Sequence, residues 1–401
     1  MQNLPAWSIN YPSRLINSVI SNTIHRFMRL FNPKSPVVGA AVGNSRQQAF
    51  ALENYFESFR SKVIGHHHSF TTPYGQKKLI YADWVASGRL YRPIEEKLLH
   101  EFAPFIGNTH TETNVTGTSM TLAYHEAQQI IKRHVNACED DVLLMVGSGM
   151  TGAVNKFQRL LGLKYPQKYD HPEERPIVFV TLLEHHSNDV SWRETSAEVV
   201  AINMDANGNV DLEHLKELLE IHKKRLFKIA AISACSNVTG VETPYHNIAK
   251  IMHEQGGLCF VDFACSAPYA AMDMHPEEEG THLDAIYFSM HKFLGGPGTP
   301  GVLVFHRSLY SNSVPDHPGG GTVTWVNRWG EQAYIPPTHT HGIEAREDGG
   351  TPAFLQTIKA GLCVQLKEQM GVENILAREK QLLPIAFHEL RKAKGLHILA
   401  D

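Results

Sequence analysis

The sequence predicts an α/β fold in which a mostly parallel sheet carries helices on both faces. Short apolar runs typical of buried strands, the first of them at residues 79–83, alternate along the chain with segments of helical period. Polar and ionisable residues follow the carboxyl ends of these runs, which is where ligands bind in open parallel sheets. The sequence therefore predicts a binding site along one edge of the sheet.

The composition is that of an ordinary globular protein. The chain has 401 residues, of which 42% are hydrophobic and 19% charged, and its net charge is −4. This charge gives no electrostatic reason to expect a nucleic-acid partner. The five cysteines are odd in number and lack paired CxxC spacing, so we expect no disulfide framework, no metal site and a cytoplasmic location. No apolar run reaches the about 18 residues that a transmembrane segment needs.

The first 52 residues contain no aspartate or glutamate and are predicted to form a basic N-terminal extension, residues 1–52. Apolar residues recur at helical spacing from Leu15 to Phe31, which predicts an amphipathic basic helix. Such a helix can be an organelle transit peptide or can bind a membrane surface. We favour a helix that packs on its own domain or on a partner subunit.

A glycine turn joins a buried strand to an amphipathic helix within residues 141–160. Gly149, Met150 and Thr151 open this helix, where free backbone N–H groups and the positive end of the helix dipole favour an anion. The hydroxyl of Thr151 could add a further donor. A tight connection between strand and helix would explain the same glycines without any ligand.

Further strands end in polar groups of different kinds. His185 follows the apolar strand 177–181 and Asn237 follows the strand 229–233. An imidazole in this place can stack on a flat aromatic ligand, and a core histidine is the alternative. Asp262 follows the strand 258–261, where a buried carboxylate needs a partner. That partner is either a protonated ring nitrogen of a cofactor or a structural salt bridge.

Lys292 lies between a buried strand and a glycine cluster within residues 284–304. A lysine whose neutral amine is favoured by burial or by neighbouring cations can form a Schiff base with an aldehyde. Ser289 and His291 are suited to holding a phosphate. Together these residues predict a pyridoxal-phosphate pocket, whereas an isolated Ser-x-His-Lys would more often mark a surface lysine.

In their order along the chain, these motifs resemble the class V aminotransferase and cysteine desulfurase family of fold type I pyridoxal-phosphate-dependent enzymes. The resemblance covers about residues 81–400. The motifs that carry it are the Gly-x-Thr turn, Glu-His-His-Ser-Asn, Ser-Asn-Val-Thr-Gly, the strand that ends in Asp, Ser-x-His-Lys and Gly-Thr-Pro.

The resemblance implies a role for each of these positions. Lys292 would bond to the cofactor and then move the proton at the substrate α-carbon. Asp262 would pair with the pyridine nitrogen, His185 would stack on the ring, and Asn237 would lie near the ring hydroxyl. Thr351 would reach the phosphate of the neighbouring subunit in a homodimer. The phosphate of this chain's own site would be held by Gly149, Met150, Thr151, Ser289 and His291.

The chain also departs from the family pattern. Cys265 stands where many relatives have a glutamine that contacts the ring hydroxyl, so we expect that hydrogen bond to be weakened or supplied by another group. We expect a large domain at residues 53–355, with residues 356–401 as the helical start of a truncated small C-terminal domain. The arginine that binds the substrate carboxylate and the nucleophilic cysteine of desulfurases would then be missing. Cys363 is expected to be a small core residue.

The leading hypothesis is a pyridoxal-phosphate-dependent transaminase or lyase that acts on an amino acid. The first alternative is a cysteine desulfurase or selenocysteine lyase, for which Cys265 and the region of His110 are the visible candidates. The second alternative is an inactive scaffold or dimeric partner protein. The expected truncation favours the scaffold, and the joint presence of Lys292, Asp262 and His185 opposes it.

Overall fold

The computed structural model describes residues 45–109, 113–339, 341–396 and 398, and gives the backbone alone for residues 45–50. The predicted amphipathic helix between Leu15 and Phe31, and His110, lie outside the described residues.

The described chain alternates strands and helices. The strands are β1 (Ser69–Thr72), β2 (Gly75–Lys78), β3 (Asp141–Val146), β4 (Ile177–Thr181), β5 (Glu198–Ile202), β6 (Lys228–Ser233), β7 (Leu258–Asp262), β8 (Ala285–Ser289), β9 (Gly301–His306), β10 (Val323–Val326) and β11 (Gln332–Tyr334). The helices are α1 (Ser45–Arg60), α2 (Arg92–Lys97), α3 (Val115–His134), α4 (Gly149–Leu160), α5 (His186–Arg193), α6 (Leu212–Ile221), α7 (Tyr245–Glu254), α8 (Gly342–Glu347), α9 (Phe354–Met370) and α10 (Val372–Leu390).

The central sheet has seven strands in the order β3-β9-β8-β7-β6-β4-β5. The pairs β4–β5, β4–β6, β6–β7 and β7–β8 are parallel, whereas β9 runs antiparallel to both of its neighbours, β3 and β8. The carboxyl ends of β4, β6, β7 and β8 therefore meet at one edge. This confirms the predicted mostly parallel α/β sheet.

Alternate residues of the strands face two different helical layers. Ile286 and Phe288 pack with α3, α6, α7 and α9, while Ala285 and Tyr287 pack with α4 and α5 on the opposite face. A strand buried on both faces reads as a continuous apolar run, which is why the sequence marks these strands clearly. Both faces of the sheet are thus covered by helices, as predicted.

A local sequence signal fixes the start of helix α6. Helix α6 begins after Asp211, whose carboxylate accepts hydrogen bonds from the N–H groups of Glu213 and His214, both at 3.0 Å.

Helix α9 is buried over residues 357–367 and packs against α3 within the larger core cluster, where Cys363 is only 1% exposed. Cys363 is therefore a core residue, as expected. The division of the chain at residue 356 stays a prediction.

One predicted strand is wrong. Residues 79–83 form no strand, because β2 already ends at Lys78 and Ile80 is 83% exposed. The chain continues instead towards the loop that carries Lys292, where the Gly88 N–H donates to the carbonyl of His291 at 3.0 Å. A Cβ at Gly88 would lie 2.0 Å from the Phe293 carbonyl oxygen, so this contact requires glycine.

Candidate active site

The strand ends enclose a cavity of about 620 Å³ at the carboxyl edge of the sheet. Ten of the eleven predicted site residues line it: Gly149, Met150, Thr151, His185, Asn237, Asp262, Cys265, Ser289, His291 and Lys292. The eleventh, Thr351, is exposed in the loop before α9 and is not among the residues that line this cavity. The sequence also failed to single out several other lining residues, among them Asp83, Val85, Ser148, Ser187 and Thr299.

Lys292 ends a short 3₁₀ turn, Met290–Lys292, that directly follows the buried strand β8. The loop that follows Lys292 is held by hydrogen bonds within it. The Gly296 N–H donates to the Phe293 carbonyl at 2.9 Å, and the Thr299 hydroxyl donates to the Gly296 carbonyl at 2.6 Å. Lys292 itself is half-buried and is one of the residues that line the cavity.

The turn after β3 places the start of α4 beside the end of β8. Ser148 has φ 65° and ψ 32°, a left-handed conformation that is unusual for a serine and typical of functional turns. The Met150 N–H donates to the Ser289 hydroxyl at 2.8 Å, and the hydroxyls of Thr151 and Ser187 are 2.7 Å apart. Hydroxyls and a helix N-terminus thus converge on one point, which suits an anion.

His291 and His185 both favour the neutral imidazole. Burial and the charge of Lys292 lower the pKa of each ring, and the neighbouring His186 lowers that of His185 further. The Nδ1 atom of His185 accepts a hydrogen bond from the Ser187 N–H at 3.1 Å, so it carries no proton and Nε2 carries it. His185 therefore presents a flat, neutral ring to the cavity.

Asp262 is a buried carboxylate, 3% exposed, at the end of β7. Its pKa is raised to about 7, mainly by burial and also by the nearby Glu184, whereas the Ala264 N–H and the charge of Lys292 act in the opposite direction. The Ala264 N–H donates to Asp262 at 2.8 Å. A positively charged partner that enters the cavity would therefore stabilise the ionised form of this buried carboxylate.

Glu184 is a residue whose role sequence reasoning missed. It accepts hydrogen bonds from the hydroxyls of Thr181 and Ser233, both at 2.7 Å, and from the side-chain amide of Asn188 at 2.6 Å. It thereby joins the ends of β4 and β6 to the first turn of α5, directly beside His185. Burial raises its pKa, and these donors lower it. The only local signal is an acidic residue at the end of an apolar strand, next to hydroxyl and amide side chains.

Two thiols lie in the wall of the cavity. The Cys235 and Cys265 thiols both donate to the carbonyl oxygen of Ser236, at 3.7 Å and 3.8 Å, and both residues line the cavity together with Asn237. Cys265 thus occupies the wall at the point where the family pattern has glutamine.

Two clusters of metal-ligand type lie elsewhere in the described chain. In each, polar atoms lie within 4.8 Å of one another, and neither cluster overlaps the lining of the cavity. A histidine donates to an aspartate in both, at 2.6 Å for His275 and Asp141 and at 2.9 Å for His253 and Asp284. These hydrogen bonds account for the clusters without an ion, and the expected absence of a metal site stays a prediction.

Comparison with known proteins assigns the chain to a family. The family described as aminotransferase class V matches residues 80–401. A probable cysteine desulfurase of Streptomyces coelicolor is 25% identical over 327 residues, which are 80% of this chain and 73% of that protein. One of Staphylococcus epidermidis is 28% identical over 326 residues, again 80% of this chain and 73% of the relative.

Solved structures share the fold. The cysteine desulfurase of Thermococcus onnurineus superimposes with a TM-score of 0.66 at 22% identity, covering 84% of this chain and 76% of that one. The cysteine desulfurase CsdA of Escherichia coli gives a TM-score of 0.65 at 22% identity, covering 88% and 79%.

The chain belongs to the class V aminotransferase family, whose members are pyridoxal-phosphate-dependent enzymes of fold type I. This confirms the predicted family, fold class and enzyme class, a transferase or lyase. No helix among the described residues is long and apolar enough to cross a membrane.

Proposed function

We propose that this chain binds pyridoxal phosphate through Lys292 and uses it to remove sulfur from cysteine. The observation that carries the proposal is the convergence of Lys292, Asp262 and His185 on one cavity although they lie on three different strand ends. The leading hypothesis from the sequence, chemistry at the α-carbon of an amino acid, is kept. The names of the relatives favour its desulfurase alternative over transamination.

The donor set fits this cofactor. The cavity volume of about 620 Å³ lies within the range of small-molecule sites. The N-terminus of α4, with the Thr151 and Ser187 hydroxyls beside it, suits the phosphate. Asp262 suits a protonated ring nitrogen, because it is buried and its pKa is raised to about 7 when it has no cation. The neutral imidazole of His185 suits a flat ring.

Each residue then has a physical task. When bound, pyridoxal phosphate supplies an electron sink conjugated to the substrate α-carbon. Lys292 would hold the cofactor through its Nζ atom and would move the proton at the substrate α-carbon. Asp262 would keep the ring nitrogen protonated. Ser289, His291 and Thr151 would hold the phosphate, and Asn237 and Cys265 would contact the ring hydroxyl.

The first experiment replaces Lys292 with alanine. We expect purified wild-type protein with added pyridoxal phosphate to show a band near ~420 nm that borohydride removes, and the Lys292→Ala variant to lack it. The matched control is Lys168→Ala, because Lys168 is an exposed lysine outside the cavity. A variant that keeps the band would contradict the assignment of Lys292, and a wild type without one would favour the scaffold alternative.

Product analysis separates the two reactions. Incubation with L-cysteine and an excess of a thiol reductant should release alanine and sulfide in equal amounts, because one added thiol takes the sulfur as a persulfide and a second thiol reduces that persulfide to sulfide and a disulfide. Formation of a 2-oxo acid with an amino acceptor, and no sulfide, would instead support transamination.

We also propose a homodimer in which Thr351 reaches the neighbouring subunit's phosphate, and a cytoplasmic location. The exposed position of Thr351 supports the first, and the five free thiols support a reducing compartment. Loss of a hydrogen bond to a charged group costs about 1.5–3 kcal/mol, so Thr351→Ala should weaken cofactor affinity roughly ten-fold or more. Spectroscopic titration with pyridoxal phosphate measures this, and a monomer in sedimentation equilibrium would refute the dimer.

A further inference from the structure

Cys235 and Cys265 follow two neighbouring strands. Strands β6 and β7 pair in parallel, with Ser233 opposite Asp262, and the cysteines lie two and three residues beyond these ends. Their Sγ atoms are 3.7 Å and 3.8 Å from the same atom, the carbonyl oxygen of Ser236. Each thiol also affects the pKa of the other. Neighbouring strand ends therefore hold two sulfur atoms around one carbonyl oxygen, both in the wall of the cavity.

The surroundings make the two thiols unequal. The neighbouring Cys235 and the charge of Lys292 lower the pKa of Cys265 to about 7, against burial and the charge of Glu379. The neighbouring Cys265, burial, and the charges of Glu242 and Glu379 raise the pKa of Cys235. The charge of Lys292 beside Cys265 and that of Glu242 beside Cys235 therefore make Cys265 the more readily ionised thiol of the pair.

The other three cysteines differ from this pair. Burial raises the pKa of Cys259 and Cys363, and both are inaccessible in the core. Cys138 is exposed, but partial burial of its thiol raises its pKa, and it lies outside the cavity. A thiol is reactive when it is both ionised and accessible. All five cysteines are in the described chain, and Cys265 is the one that combines both properties.

We propose that Cys265 and Cys235 form a thiol–disulfide exchange site in the wall of the candidate active site, which takes small disulfide-containing compounds. The Cys265 thiolate attacks a disulfide R–S–S–R, giving a mixed disulfide and one R–S⁻. Cys235 loses its proton and attacks the Cys265 sulfur, giving the Cys235–Cys265 disulfide and a second R–S⁻. In the net reaction two protein thiols are oxidised by two electrons, and one small disulfide is reduced to two thiols.

The fold permits the internal disulfide. The strands that precede the two cysteines are about 4.8 Å apart, which is within the Cα separation of about 4.4–6.8 Å that disulfides adopt. Both sulfur atoms lie within 3.8 Å of the Ser236 carbonyl oxygen, so formation of the bond needs only a local movement. The oxidised form would have no thiolate beside Lys292, so the thiol redox state would alter the electrostatics of the cavity.

The test uses the reduced full chain and oxidised glutathione as the probe. We expect wild-type protein to lose two hydrogen atoms in intact mass, to release two glutathione molecules, and to yield a peptide that links Cys235 to Cys265. The Cys235→Ser variant, which keeps a hydroxyl donor, should accumulate one glutathione on Cys265. Cys265→Ser should form neither product, and Cys138→Ser should behave as wild type. Circular dichroism of each variant confirms that it is folded.

The pH dependence supplies an independent measure. With a pKa of about 7, the thiolate fraction of Cys265 rises about ten-fold between pH 6 and pH 8. An ordinary thiol with a pKa of about 8.5 would rise roughly 75-fold over the same range. If the rate of glutathione attachment in Cys235→Ser rose as steeply with pH as that of an ordinary thiol, the proposal would be overturned. Glutathione found on Cys138 alone, or the absence of the linked peptide, would also overturn it. The readout needs neither substrate nor cofactor, so its failure leaves the proposed function untouched.

Discussion

Two buried aspartates show how the same side chain serves opposite purposes in this molecule. Asp262 lies in the candidate active site and Asp316 lies beneath helix α4, and the side chain of Asp316 is only 4% exposed. Asp316 is bound by Arg159 Nε at 2.7 Å and by Lys156 at 3.5 Å. Although burial raises the pKa of Asp316, these two cations more than offset it, and the pKa lies below its usual value. Burial dominates at Asp262 and raises its pKa to about 7.

The difference identifies the functional residue. Asp316 is satisfied by its own chain and stabilises the fold. Asp262 is costly as a carboxylate until a cation arrives, so its stabilising partner is expected to be a ligand. Both aspartates are buried, so burial does not distinguish them. The difference is that Asp316 has cationic partners in its own chain at hydrogen-bond distance.

The largest effect is expected on stability at Asp316. Asp316→Asn removes one partner of a buried ion pair and leaves Lys156 and Arg159 with less compensation, which costs about 3–5 kcal/mol. Urea unfolding at pH 7 measures the loss. The matched control is Glu213→Gln, which breaks the exposed pair with Lys216 and should change stability by less than about 1 kcal/mol. Equal losses in the two variants would refute the comparison.

Asp262→Asn should lower activity strongly while sparing the fold. We expect activity to fall about 100-fold or more, which corresponds to about 2.7 kcal/mol, because the ring nitrogen loses its counter-ion. The cofactor-free variant should unfold at no lower urea concentration than wild type at pH 8. A cofactor-free variant that is clearly less stable than wild type would mean that Asp262 has a structural partner in the chain.

The two aspartates also predict opposite pH dependences. The folded pKa of Asp262 is raised to about 7, so cofactor-free wild type should lose stability relative to Asp262→Asn as the pH rises from about 4 to 7. The folded pKa of Asp316 is lowered, so its contribution should be present above about pH 4 and be lost as the pH falls further. Unfolding curves of both variants across this range test the signs. The same slope for both would break the comparison.

The smallest effect is expected at Glu184, which positions its neighbours and does not itself line the cavity. Glu184→Gln replaces one acceptor oxygen by an amide N–H, which cannot accept a hydrogen bond from Thr181, Ser233 or Asn188. The donor left without a partner should cost about 1–3 kcal/mol of stability. Because these contacts hold the chain beside His185, we also expect a lower kcat and a shifted cofactor absorption maximum. An unchanged spectrum at reduced stability would make the role of Glu184 purely structural.

The sequence by itself determined the sheet and most of the site. Strands buried on both faces give continuous apolar runs, and several of these runs lead to a group that lines the cavity, as with Asp262 at the end of β7 and Lys292 after β8. These are local features, and the rule that parallel strands bring their carboxyl ends together converts them into a common site. Ten predicted residues therefore line one cavity without knowledge of the strand order.

The tertiary structure alone decided which strands are neighbours, and with it the contacts between distant residues. Three features depend on this order: the antiparallel direction of β9, the Glu184 network between β4 and β6, and the position of Cys235 and Cys265 around the Ser236 carbonyl oxygen. The error at residues 79–83 has the same origin, because a short apolar run becomes a strand only if a partner edge is available. Hydrogen-bond partners across a sheet are chosen by packing of the whole chain, and no local pattern records that choice.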